Sequence, residues 1–212
     1  MELPLELTSA LAEIAGRHRM TLGTVFQGAW GVVLGRLTGE RDLVLLSSTG
    51  GRPPEIAGVE RMVGPLANST LLRIRLDGDK PFIDELKRLR DQQADLLAHR
   101  HLPLRDVLKI SGMERLSDVM FLNQNYPLDR EKFSDRPGIR VSGIDFRSMG
   151  EGVSLNPMIY PGSPYTMVVR YQPKQLREAE VREMCEQFTD VLSSVAAAPD
   201  LPLAAHRPPP HH

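Results

Sequence analysis

The chain has 212 residues, 41% hydrophobic and 25% charged, which is long enough to bury a core and ordinary for a globular protein. A formal net charge of −1, with basic residues interleaved among acidic ones as in Glu85-Leu86-Lys87-Arg88, leaves no field that would draw in nucleic acid or an anionic membrane, so neither partner is expected. One cysteine, Cys185, excludes an internal disulfide and a cysteine-rich zinc site, and no metal is expected.

The N-terminus, Met1-Glu2-Leu3-Pro4, has no basic start and no apolar run, and no stretch is long enough to span a bilayer. The cytoplasm is the expected default. Leu7, Leu11, Ile14 and Ala15 recur at helical spacing and predict a first helix from Thr8 to Arg19, capped by Thr8 or Ser9. Thr21 opens a second helix to about Leu37, and Gly39 is its stop. Small and apolar residues run all round this helix (Gly28, Ala29, Gly31, Gly35), so deep burial is expected. Leu43 to Ser48 is a short apolar run that reads as a buried strand. Thr49 to Pro65 has no periodicity, and a long irregular connection in a compact domain tends to be functional. Ser69 to Asp77 alternates, with Leu72, Ile74 and Leu76 on one side and Arg73 and Arg75 on the other, as in a half-buried strand.

Pro81 opens a third helix to about His99, with Phe82, Leu86, Leu89, Leu96 and Leu97 as its stripe. A short helix over Leu104 to Ile110 follows. Strands are then expected over Asp118 to Asn123 and Ile139 to Phe146, a glycine-rich excursion over Ser148 to Val153, and a strand over Tyr165 to Tyr171. In the last helix Val181, Met184, Cys185, Phe188, Val191, Leu192 and Val195 fall at steps of three and four. Cys185 sits in that stripe and reads as a core residue rather than a nucleophile. Residues 199–212 have the composition of a linker, and His211-His212 resemble the stub of a purification tag. The order of elements predicts an α+β fold, one mixed β-sheet with helices packed mainly on one face.

Four segments, taken together, carry a resemblance. The first is Phe26-Gln27-Gly28-Ala29-Trp30, followed by Leu43-Val44-Leu45-Leu46 and Gly51-Arg52-Pro53. The second is Val59-Glu60-Arg61-Met62-Val63-Gly64-Pro65-Leu66-Ala67-Asn68-Ser69-Thr70. The third is His99-Arg100-His101-Leu102-Pro103-Leu104, and the fourth Ser154-Leu155-Asn156-Pro157-Met158. In order and spacing they resemble the motifs of condensation domains of non-ribosomal peptide synthetases, across residues 8–196. Such domains are two lobes, each like chloramphenicol acetyltransferase, with a catalytic His-His-x-x-x-Asp-Gly motif in the N-terminal lobe. That motif does not occur in this sequence. The resemblance therefore implies the C-terminal lobe over residues 1–198, with no catalytic residue of its own.

The resemblance also implies a floor loop near 49–66 and a latch near 148–160, both crossing to the other lobe. The implied partners are the N-terminal lobe, peptidyl carrier proteins and adjacent synthetase domains. No cofactor is bound directly, because phosphopantetheine arrives on the carrier proteins. An exposed lobe face implies self-association. Four residues are candidates for contact with the tunnel or the tether. Asn68 offers an amide to a tether or to a backbone segment, or serves as a turn residue. Arg52 pairs with a phosphate, or with Glu55 or Glu60. Trp30 lines the tunnel or fills the core, and Asn123, at a strand end, has the same two readings. His99 and His101 have no carboxylate beside them in sequence and read as surface or capping residues. The fourth segment has Glu151-Gly152 where the family has Arg-Asp, which also admits a non-catalytic module that recruits a carrier protein or another enzyme.

Overall fold

The computed structural model describes residues 1–50, 52, 55–64, 66–114, 116–124 and 153–205. The expected strand over Ile139 to Phe146 and most of the glycine-rich excursion lie outside these residues. Strand β1 (Glu2–Leu3) leads into helices α1 (Leu5–Arg17) and α2 (Leu22–Thr38). Strands β2 (Asp42–Gly50) and β3 (Ala67–Arg75) flank a 3-10 turn at Val59–Arg61. Helices α3 (Phe82–Leu97) and α4 (Leu104–Ser111) precede strand β4 (Met120–Asn123). Strands β5 (Leu155–Tyr160) and β6 (Tyr165–Tyr171) and helix α5 (Glu178–Ala197) complete the chain's main elements. Among the described residues no helix is long and apolar enough to cross a membrane.

The six strands form one mixed sheet in the order β1-β6-β5-β4-β2-β3. The three central strands, β5, β4 and β2, run parallel, and the outer pairings are antiparallel. Register puts Leu45, Leu72, Ile74, Phe121, Leu155, Ile159 and Met167 on one face. They form one core with the apolar faces of α1, α2, α3 and α5. The α+β expectation with helices on one face holds. Deep burial of α2 holds too, since every residue from Thr24 to Leu34 is buried.

Local chemistry sets the element ends. Thr21 caps α2 by accepting the Thr24 N–H at 3.1 Å, and Gly39 ends it at a φ of 74°. Helix α1 begins three residues before the expected Thr8. Pro4 stands at its cap, and the Thr8 hydroxyl instead donates back to the carbonyls of Pro4 and Leu5. The cause is tertiary: Leu3 is fully buried and pairs with Tyr165, which fixes where the helix starts. Leu97, expected in the α3 stripe, is 53% exposed at the last residue of the helix, while Leu96 beside it packs against the core.

Two boundary expectations change. Residues 155–160 of the expected latch form β5, buried at the centre of the sheet between β4 and β6, and residues 148–152 of it lie outside the described residues. The expected linker is folded as far as residue 205. Leu203 enters the core, and its N–H donates to the Lys80 carbonyl at 2.8 Å while Ala204 N–H donates to Gly78.

The C-terminal end of edge strand β3 is closed by side chains of α3. The Arg73 N–H donates to Gln92 Oε1 at 2.8 Å, Gln92 Nε2 returns to the Arg73 carbonyl at 3.2 Å, and the Arg75 N–H donates to Glu85 Oε1 at 2.9 Å. Three carboxylates are held below their ordinary range by a hydrogen-bonded cation each: Asp42 by Arg73, Asp77 by Lys80 and Glu180 by Arg177. Each binds its proton less readily folded than unfolded. Their contribution to stability is present above about pH 4 and is lost as pH falls through the lowered values. Chemical denaturation across pH 2–6 should show this loss, and Asp42→Asn should make it shallower.

Candidate functional site

Helix α2 begins over the carboxyl ends of the parallel strands β2 and β4, the end at which open α/β sheets tend to take ligands. Two cavities open there, of about 210 Å3 and 250 Å3. They share Thr21 and Asn123, and among the described residues neither has a charged one in its lining. The first is lined by Gln27, Ser47, Thr70, Gln93 and Leu96 among others, and the second by Phe26, Ile159 and Tyr165.

A run of hydrogen bonds joins three elements beneath the first cavity. The Thr24 hydroxyl lies 2.9 Å from that of Thr21 and donates to Gln93 Oε1 at 2.7 Å. Gln93 Nε2 donates to Gln27 Oε1 at 2.6 Å, and Gln27 Nε2 donates to Ser47 Oγ at 2.8 Å. Thr24, Gln27 and Ser47 are each more than nine-tenths buried, so these polar groups need one another. Sequence reasoning misses this set. Gln27 stands in one of the four segments, but its partner Gln93 lies 66 positions away and no local pattern joins them.

Of the four candidates, Asn123 alone lines the cavities. It is exposed at the end of β4, and among the described residues its side chain makes no hydrogen bond. Gly23 lies opposite, where a Cβ would be 2.7 Å from Asn123 Nδ2 and would make that side chain turn aside. Trp30 is fully buried and lines neither cavity. It packs on Phe121 and Phe188 at 6.2 and 5.5 Å between centroids, so its tunnel-wall reading gives way to the core reading.

Asn68 takes the backbone reading. Its Nδ2 donates to the carbonyls of Arg100 and Leu102 at 2.8 and 2.6 Å, and its Oδ1 accepts the Ser69 N–H. Both amide hydrogens are spent, so none remains for a ligand. Arg52 donates to the Met62 carbonyl at 3.1 Å, while Glu55 is held by Arg100 at 3.0 Å. The ion pair expected for Arg52 at Glu55 therefore belongs to Arg100. These contacts tie the loop before β3 to the turn between α3 and α4. His99 and His101 sit exposed on that turn, outside both cavities.

Asn68→Ala should cost about 2 kcal/mol, because two carbonyls lose their donor. Urea denaturation gives the size, and hydrogen exchange should show the amide of Leu102 opening faster.

A separate groove of about 540 Å3 between β6 and α5 contains Cys185 and shares no lining residue with the other two. Burial pushes the Cys185 thiol above its ordinary range, which disfavours the thiolate a nucleophile needs.

A family model described as the condensation domain matches residues 1–209. A component of the linear gramicidin synthase of Brevibacillus parabrevis is 27% identical over 203 residues, which is 94% of this chain and 3% of that protein. A four-domain nonribosomal peptide synthetase bound to AMP and glycine superposes with a TM-score of 0.83 at 17% identity, over 97% of this chain and 17% of that one. The X-domain in its complex with OxyB, from teicoplanin biosynthesis, superposes with a TM-score of 0.78 at 16% identity, over 98% of this chain and 47% of that one. The chain spans a small part of the curated relative and about half of the X-domain chain. The sheet and its helices are thus a chloramphenicol acetyltransferase-like fold, and the match across nearly all its residues makes this chain a member of the condensation domain family of non-ribosomal peptide synthetases.

Proposed function

We propose that this chain is the C-terminal lobe of a condensation domain and supplies the non-catalytic side of a site for amide-bond formation between carrier-tethered substrates. The observation that carries the reading is the pair of cavities meeting at Asn123, which no charged residue lines among those described. A phosphopantetheine tether is neutral between its phosphate and its thioester, and such a lining would hold it without drawing in an ion. Fixing both tethered reactants in one place lowers the entropic barrier to their reaction. The sequence holds no His-His-x-x-x-Asp-Gly motif, so proton transfer would come from an N-terminal lobe. Exposed Met62 and Val63, in the loop before β3, suit contact with that lobe. Peptidyl carrier proteins and adjacent synthetase domains are the further partners in this reading, and the cytoplasm is the compartment.

The test is reconstitution. An N-terminal condensation lobe is expressed as a separate chain, mixed with this one, and peptide formation is measured between two loaded carrier proteins. Product on mixing alone supports the reading. Tight association without product favours a second reading, a non-catalytic module that recruits another enzyme, which the likeness to the X-domain in complex with OxyB supports. Neither association nor product would overturn both.

A further inference from the structure

The run of hydrogen bonds beneath the first cavity has a direction. The hydroxyl of Thr24 is spent on Gln93 Oε1, so the contact with Thr21 is filled by the Thr21 proton. Gln93 then presents nitrogen to Gln27, and Gln27 presents nitrogen to Ser47. Ser47 Oγ is left as an acceptor within the run, and among the described residues its own proton has no acceptor. Ser47 is 7% exposed and lines the cavity. A buried donor without a partner is costly unless something in the cavity receives it.

We propose that Gln93 and Gln27 carry this polarity from the start of α2 to Ser47, so that the Ser47 hydroxyl faces the cavity as a committed donor for the neutral carbonyl of a linear amide ligand. The direction of the run follows from the orientation of the Gln93 and Gln27 amides, while the ligand's identity as a tether rests on the functional reading above. Among the described residues charge is absent from the lining, so a carboxylate or phosphate finds no counter-ion in them. Asn123, where the two cavities meet, offers both a donor and an acceptor to a second amide. Leu72 and Leu96 in one cavity and Phe26 and Ile159 in the other suit the methylenes between. Hydrogen bonds in series polarise one another, which makes the terminal hydroxyl a better donor than an isolated serine. Gln27 and Gln93 are positioning residues, acting through Ser47.

The experiment uses this chain, isotope-labelled, in solution NMR. The Gln27 side-chain amide protons should show cross-relaxation to Ser47, and the Gln93 amide protons to Gln27. The opposite pattern, Gln27 amide protons against Gln93, overturns the proposal. Pantetheine is then titrated in. Ser47→Ala should weaken its binding about fivefold. Gln93→Glu should weaken it as much while leaving Ser47 in place. A carboxylate only accepts, so it turns the Gln27 amide round and makes Ser47 donate inwards. Should Gln93→Glu fail to fold, Gln27→Met cuts the run and should weaken binding about twofold to threefold. N-Methylacetamide separates the two claims. If it binds and Ser47→Ala weakens it, but pantetheine does not bind, the tether reading falls and the donor stands. If neither probe binds, or Ser47→Ala binds both as well as the parent does, the proposal is overturned.

Discussion

Trp30→Ala should lower the unfolding free energy by about 3–5 kcal/mol, the range for emptying a large aromatic from a core. The indole is fully buried, and it touches Phe121 of β4 and Phe188 of α5. It therefore fastens α2 to the sheet on one side and to α5 on the other, and its loss leaves a hole walled by three elements. Trp30→Phe should cost far less, about 1 kcal/mol, for a specific reason. The indole Nε1 is buried without a hydrogen-bond partner, so phenylalanine removes an unsatisfied donor along with the lost volume. Urea denaturation of the parent and the two variants decides this. Equal costs for both would mean that Nε1 is satisfied and that the ring's polarity supports the fold.

Gly31→Val should cost about 3 kcal/mol by overpacking. A Cβ at Gly31 would sit 2.6 Å from Ile74 Cδ1, 2.9 Å from its Cγ2 and 3.4 Å from its Cβ. These atoms belong to a fully buried β-branched side chain near the end of β3, which has little freedom to turn aside. Gly28 and Gly35 lie on the same side of α2 and meet Leu86 and Leu76 in the same way. Together they let the helix axis approach β3 and α3 more closely than side chains would allow. In a background of Ile74→Ala the same Gly31→Val change should cost about 1 kcal/mol, because the colliding atoms are gone, giving a coupling of about 2 kcal/mol. Additive costs would show that Gly31 acts through helix propensity and not through this contact.

Much of the fold can be read from local sequence, and particular residues show why. Thr21 and Gly39 bracket α2 because a cap and a left-handed stop are chemical requirements of the two helix ends. The steps of three and four in α5, and the span of β6, are equally local. Strand β1 escapes notice because two residues carry no period, and their pairing with β6 is decided about 160 residues away. Strand β5 is hidden by Pro157, which counts against a central strand although it stands in one. The docked tail fails for the opposite reason, since Pro199, Pro202 and their neighbours have a linker's composition while Leu203 reaches the core.

The site divides in the same way. Asn123 is legible because a polar residue at a strand end is a visible exception. Asn68 is legible too, but its role depends on where Arg100 and Leu102 place their carbonyls. The run through Gln27 and Gln93 belongs to the fold alone. Each glutamine by itself is an ordinary residue on a helix, and only the crossing of α2 and α3 makes them a pair.

The closure of β3 by Gln92 and Glu85 bears on how copies of this chain can meet. Gln92 occupies both backbone groups of Arg73 and Glu85 occupies the N–H of Arg75, so the C-terminal end of β3 is closed to strand addition. A second copy or a companion lobe that meets this end of the sheet does so through side chains, where charge and shape choose the partner.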